Sequence, residues 1–241
     1  MQLEAAAGPW TSDIMRPIIG ACDAARDERG TAVTWALFAL TQNISAQTRL
    51  REELLGLSTE NPTMEELNEL KYLDCIVRET LRLYAPVPAT SRTAMQDDVV
   101  PLSMPVTDKR GVVHDHWRVR KGDMVIIPIL AMNRDVRTWG PDAMKFIPER
   151  WEASPPPSTG LPGVWGEMLT FIGGPRACIG FRFSLVEMKA LLFALVRGLH
   201  FELGVPLADL GKTTDIVQRP SLRSEPTKGN QLPLLIRPVG R

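Results

Sequence analysis

From Thr31 onward apolar residues return at helical spacing. Val33, Leu37 and Leu40, with Trp35 and Ala36 beside them, predict the apolar side of a helix. Residues 49–57 alternate charges with leucines and predict a second. Asn61-Pro62-Thr63 is a start signal, with Thr63 as N-cap and Glu66 three residues on as a capping box, so residues 64–70 read as a short helix. Residues 74–84 form a strongly amphipathic segment carrying Cys75, Ile76, Leu81 and Leu83. Pro86 and Pro88 end it and force extended backbone. The pattern then changes to short strands over residues 91–128. Two of them, 117–120 and 124–127, flank the turn signal Lys121-Gly122-Asp123. Ser154-Pro155-Pro156-Pro157-Ser158 reads as an exposed loop. Residues 182–199 form the last long helix, ending near Gly198, and the tail through Leu232–Ile236 offers one or two strands. The expected architecture is mainly α-helical with small β-sheets, in one compact unit without internal repeats. Residues 1–23 carry only a weak pattern.

Composition narrows the function classes. Of 241 residues, 44% are hydrophobic and 23% charged, as in an ordinary globular protein, which excludes general disorder. Lys plus Arg and Asp plus Glu are both 28, and that balance gives no sign of a nucleic-acid partner. Cys22, Cys75 and Cys178 are too few and too scattered for a disulfide framework. No stretch reaches the roughly 18 apolar residues of a spanning helix, and the N-terminus lacks the layout of a signal peptide. The chain is thus expected to contain no membrane anchor.

The segment with most chemical content is Phe171-Ile172-Gly173-Gly174-Pro175-Arg176-Ala177-Cys178-Ile179-Gly180, a glycine-rich loop just before the last helix. Glycine allows close backbone approach to a flat object and positive φ. The helix behind the cysteine turns its positive end toward the sulfur, which favours thiolate over thiol. The bland alternative is a buried thiol in a tight turn. Glu79 and Arg82, three apart on one helix face, are by themselves an ordinary ion pair. His114 and His116 alternate around Asp115, and in a strand they would share a side where zinc could bind. His200 reads as a capping or surface residue.

The loop resembles, without a gap, the haem-binding loop of the cytochrome P450 family, Phe-x-x-Gly-x-Arg-x-Cys-x-Gly. The resemblance implies that Cys178 is the axial ligand of haem (heme b) iron. It further implies that Phe171 packs near the sulfur, that Gly174 shapes the loop, that Arg176 contacts a haem propionate, and that Gly180 leaves room for the porphyrin. Glu79-x-x-Arg82, followed by Pro148-Glu149-Arg150-Trp151, resembles the family's helix motif and meander, which implies a structural triad of Glu79, Arg82 and Arg150. Tyr72-Leu73-Asp74 and Asn133-Arg134-Asp135 match flanking stretches. Arg92 falls at a second propionate-binding position, and Val87 and Ala89 fall where the family lines its substrate pocket. The match covers about residues 32–241, which divides the chain into a leader, 1–23, and the C-terminal haem-binding part of a P450 domain, 24–241. The type is eukaryotic, with fungal members among the candidates.

One stretch departs from the pattern. Ala24-Ala25-Arg26-Asp27-Glu28-Arg29 falls where the family carries Ala-Gly-x-acid-Thr-Thr. Asp27 keeps the acid, a candidate catalytic residue, while Glu28 and Arg29 replace the threonines. Burying a charged Glu28 beside haem would be costly. The resemblance therefore implies either a haem-dependent monooxygenase or a non-catalytic truncated remnant that binds haem poorly. The first takes an apolar organic substrate, O2, and electrons from NADPH–cytochrome P450 reductase. A truncated or mis-joined N-terminal part is the expected origin of the departure. Family members of this type are expected on the cytoplasmic face of the endoplasmic reticulum.

Overall fold

The computed structural model describes residues 28–152 and 160–239. They form two compact units: one runs to Pro88 and resumes at Ile129, and the other is Ala89–Pro128. The hydrophobic pattern predicts a single unit; the change from helical to alternating pattern after Pro88 is where the second unit begins.

The first unit is built on four helices, α1 (Glu28–Gln42), α2 (Ile44–Leu55), α4 (Lys71–Leu83) and a long helix, Phe181–Gly198. A short α3 (Met64–Glu69) precedes α4. Leu40, Leu50, Leu54, Leu73, Ile76, Leu192 and Val196 are all fully buried in their shared core. Helix α1 is buried on every side, since Ala32, Val33, Trp35, Ala36, Phe38, Ala39 and Leu40 are all inside. An all-round apolar helix belongs at the centre of a fold.

Polar groups inside this core are satisfied by tertiary bonds. Buried Gln47 donates to Leu40 O and Phe201 O and accepts from the Phe201 amide. Arg51 donates to Val196 O and Leu199 O, a cation at the C-terminal end of the long helix, where the dipole favours it. The Thr63 capping box is present in full. Helix α4 begins at Lys71, three residues earlier than its pattern predicts. Its N-cap Leu70 offers no side-chain bond. Instead the Glu53 carboxylate of α2 accepts from the amides of Tyr72 and Leu73, a cap supplied from a distant residue.

The second unit holds two antiparallel ladders. Strand β1 (Thr90–Thr93) pairs with β4 (Met124–Ile127), and β2 (Asp98–Thr107) pairs with β3 (Val113–Val119). The strands on either side of Lys121-Gly122-Asp123 therefore exist but do not pair with one another. The β2–β3 hairpin turns at Asp108, whose carboxylate accepts from the amides of Arg110 and Val112, with Gly111 at φ 82°. Its register shifts between Pro101 and Val106, where Pro105 lacks a ladder donor.

After Ile129, two four-residue helices follow, α5 (Ile129–Met132) and α6 (Val136–Trp139), and then a 3-10 turn, Pro148–Trp151. The long helix, α7, leads into β5 (Leu199–Leu203), which pairs with β8 (Leu234–Pro238). Strands β6 (Leu210–Thr214) and β7 (Gln218–Leu222) form the last ladder. Among the described residues no helix is long and apolar enough to cross a membrane.

Candidate active site

The segment before α7 is folded flat by close backbone approaches. A Cβ on Gly173 would lie 1.6 Å from Pro162 O, and one on Gly163 would lie 1.9 Å from Met168 O. No other residue fits at either place. The Val164 amide donates to Ile172 O, and the Cys178 amide donates to Phe171 O, both at 2.9 Å. Gly174 takes φ 68°, and so nearly does Ile172 at 57°, a strained value for a β-branched residue. The motif positions read from the sequence include Gly174. The close contact that presses the loop down belongs to Gly173, whose signal was the paired glycine.

Cys178 is exposed at the end of this loop, three residues ahead of the first residue of α7. Gly180 is the N-cap of α7 and contributes no side-chain bond. A Cβ on Gly180 would meet nothing within 4 Å, and Ile179 and Phe183 are exposed apolar neighbours in sequence. A soft sulfur donor, an open glycine and bare apolar side chains suit a flat, largely apolar ring carrying iron. The site's residues therefore fit haem. Phe171 is half buried, its ring 5.9 Å from Trp165 and 6.0 Å from Phe181. Arg176 is exposed in the 3-10 turn Gly174–Arg176. Cys75 is the contrasting thiol: burial, then the charges of Asp74 and Glu152, push it up to about 11. It stays protonated and inert near neutrality.

Glu79, Arg82 and Arg150 come together. Glu79 and Arg82 are fully buried, joined by two bonds of 2.8 Å. Glu79 also accepts from Arg150 Nε, the Ile147 amide and Trp151 Nε1. Arg82 sends its remaining donors to Asn133 O, Ala143 O and Lys145 O, so all five guanidinium N–H groups are used. The Trp139 ring lies 5.1 Å from the same guanidinium. This is a buried charge cluster with full hydrogen bonding, the one condition under which such a cluster is tolerated. Asn133 was not singled out as a functional residue from sequence. It is fully buried and accepts from the Leu169 amide while donating to Thr170, which ties the cluster to the approach of the loop.

Arg92 is in β1 of the second unit, its guanidinium donating to Thr90 Oγ1 and Ser91 O. Ala89 is the exposed first residue of that unit, and half-buried Val87 follows the end of α4. Asp27 lies outside the described residues. His114 pairs with Asp108 and His116 with Asp115, and no group of three metal-binding side chains occurs among the described residues.

The family model "Cytochrome P450" matches residues 24–224. The chain is 56% identical over 215 residues to cytochrome P450 monooxygenase 205 of Postia placenta, covering 89% of this chain and 40% of the relative. It is 50% identical over 214 residues to monooxygenase 128 of the same fungus, covering 89% and 39%. With monooxygenase claO of Ampulloclitocybe clavipes the figures are 42% over 223 residues, 87% and 39%. The chain thus spans about two fifths of the length of these relatives. Its helices and small antiparallel sheets make up part of a P450 fold, and with the cysteine loop and the Glu79 cluster in that family's order, the chain belongs to the cytochrome P450 family.

Proposed function

We propose that the chain is the haem-binding part of a monooxygenase, with Cys178 as the axial thiolate. The observation that carries this reading is an exposed sulfur at the head of α7, on a loop that only glycine can build. Bound there, haem supplies the activation of O2 and the insertion of one oxygen atom into an apolar organic substrate.

The chain's own residues hold and tune that group. Cys178 would hold the metal through its sulfur and would donate electron density to it, at the N-terminal end of α7. Arg176 and Arg92 offer guanidinium groups suited to carboxylates such as propionates. Gly180 keeps the side next to the sulfur free, and the Phe171 carbonyl holds the Cys178 amide. By the family resemblance Val87 and Ala89 are the candidate substrate contacts, and Asp27 is the candidate acid for moving a proton. Electrons come from NADPH–cytochrome P450 reductase at the endoplasmic reticulum. Its docking region is the face around Cys178, next to the N-terminal end of α7.

The test is the carbon monoxide difference spectrum of the reduced chain after haem supplementation. A thiolate-type Soret band is expected. A spectrum of neutral thiol or histidine ligation, or no haem uptake, overturns the proposal for this chain. It would then favour the second reading, a remnant that binds haem poorly, which the Asp27-Glu28-Arg29 departure motivates. Substantial product formation with reductase and NADPH would exclude the remnant.

A further inference from the structure

One set of contacts returns to its starting helix. On α7, Lys189 is buried and its ammonium lies 2.8 Å from Asp74 Oδ1 and 3.1 Å from Asn68 Oδ1. The other oxygen of Asp74 accepts from Arg78 Nε at 2.5 Å, one helical turn along α4. The Arg78 guanidinium sits 4.8 Å from the centre of the Trp165 ring and 5.8 Å from that of Trp151. Trp165 meets Phe171 edge to face at 5.9 Å and 70°. Phe171 O accepts the Cys178 amide, and Phe171 packs on Phe181 at the start of α7.

We propose that Arg78 and Trp165 are positioning residues for the Cys178 loop. This rests on the haem-thiolate reading for its purpose, not for its geometry. Trp165 flanks a tight turn whose two central residues, Gly166 and Glu167, have φ of 65° and 49°, and its ring is half buried. A planar cation over the ring face restrains it. Arg78 is itself restrained, because Asp74 is bonded on both oxygens. Asp74 stays ionised as well: burial opposes this, but the bonds from Arg78 and Lys189 outweigh it and hold the carboxyl below its usual range. Gly166 serves the turn itself, since its φ of 65° favours glycine, and it lies beside the Arg78 guanidinium. Through Trp151, which donates to Glu79, the same cation links the buried charge cluster to the loop. The placement of the sulfur is thus tied to the core of α4 and α7, although the loop that carries it is exposed.

The experiment is hydrogen exchange of the whole chain, followed by mass spectrometry of the peptide spanning residues 171–180. Residues 44–55 and 71–83 report on the folded core. Trp165→Ala and Arg78→Ala are expected to speed exchange of the Cys178 amide by about tenfold or more, with core protection unchanged. Trp165→Phe, which keeps a ring for the cation and for Phe171, is expected to stay within about twofold of the parent. Unchanged loop exchange in both alanine variants overturns the proposal. If an alanine variant loses core protection, Trp165→Leu against Trp165→Phe decides: faster loop exchange in the leucine variant alone supports the role, and equal rates refute it. With haem added, the thiolate-type carbon monoxide band is expected to weaken in Trp165→Ala and recover in Trp165→Phe. A parent chain without that band refutes the haem-thiolate reading, while the exchange data still decide the positioning role.

Discussion

At Cys178 the main-chain amide is held by Phe171 O while the sulfur stands exposed; at Cys75 the thiol is buried beside two carboxylates and kept protonated. Cys178→Ala is therefore expected to abolish the thiolate-type haem spectrum, whereas Cys75→Ala changes only stability. Equal spectra for the parent and Cys178→Ala would defeat the axial assignment. Arg82→Ala removes two bonds from buried Glu79 and strands three carbonyl groups. A loss of about 3–5 kcal/mol is expected, enough to prevent stable folding, and normal soluble yield would contradict it. Asp74 gives a pH signature. Its carboxyl is lower in the folded chain than unfolded, so its stabilisation is complete at neutral pH. It fades as the pH falls below the unfolded value of about 3.9 and through the folded one. Asp74→Asn should melt lower at neutral pH and lose part of this acid dependence. Parallel acid limbs for the two proteins would show that the bridge contributes nothing.

Among elements, the loop before α7 gives the sharpest prediction. Gly173→Ala would drive a methyl group into Pro162 O. The loop must lift, so the haem spectrum is expected to vanish while the far-ultraviolet circular dichroism of the helices persists. Retention of a normal thiolate band would show that the close approach is dispensable. What could be read from the sequence follows the same local logic. The capping box at Thr63, the turn at Lys121 and the end of the last helix are written in neighbouring residues. The start of α4 is not, because its cap is the Glu53 carboxylate from another helix. Nor is strand pairing: Met124–Ile127 pairs with Thr90–Thr93 across the thirty intervening positions. At the site, the loop sequence drew attention to Cys178, and the family resemblance to Glu79 and Arg82. It could not reveal Trp165 or Asn133, whose importance comes from what the fold brings next to them.

For the whole molecule, exposed apolar side chains matter most. In the second unit Val99, Val100, Met104, Val106, Val113 and Trp117 are all exposed, more than an isolated hairpin would be expected to carry in water. Concentration-dependent self-association is expected in sedimentation experiments, reduced by the double change Val100→Thr and Trp117→Ser. A monomer at all concentrations would contradict this.

The Glu79 cluster carries a consequence for how the chain acquires its structure. Glu79 and Arg82 are three residues apart and can neutralise one another within a single turn of nascent helix. Their other partners lie 51 to 72 residues downstream of the side chains they meet. Until Asn133 through Trp151 have left the ribosome, this ion pair has to remain in water, and α4 cannot settle into the core. Its burial is therefore a late, long-range closure that commits the helical core and the cysteine loop together.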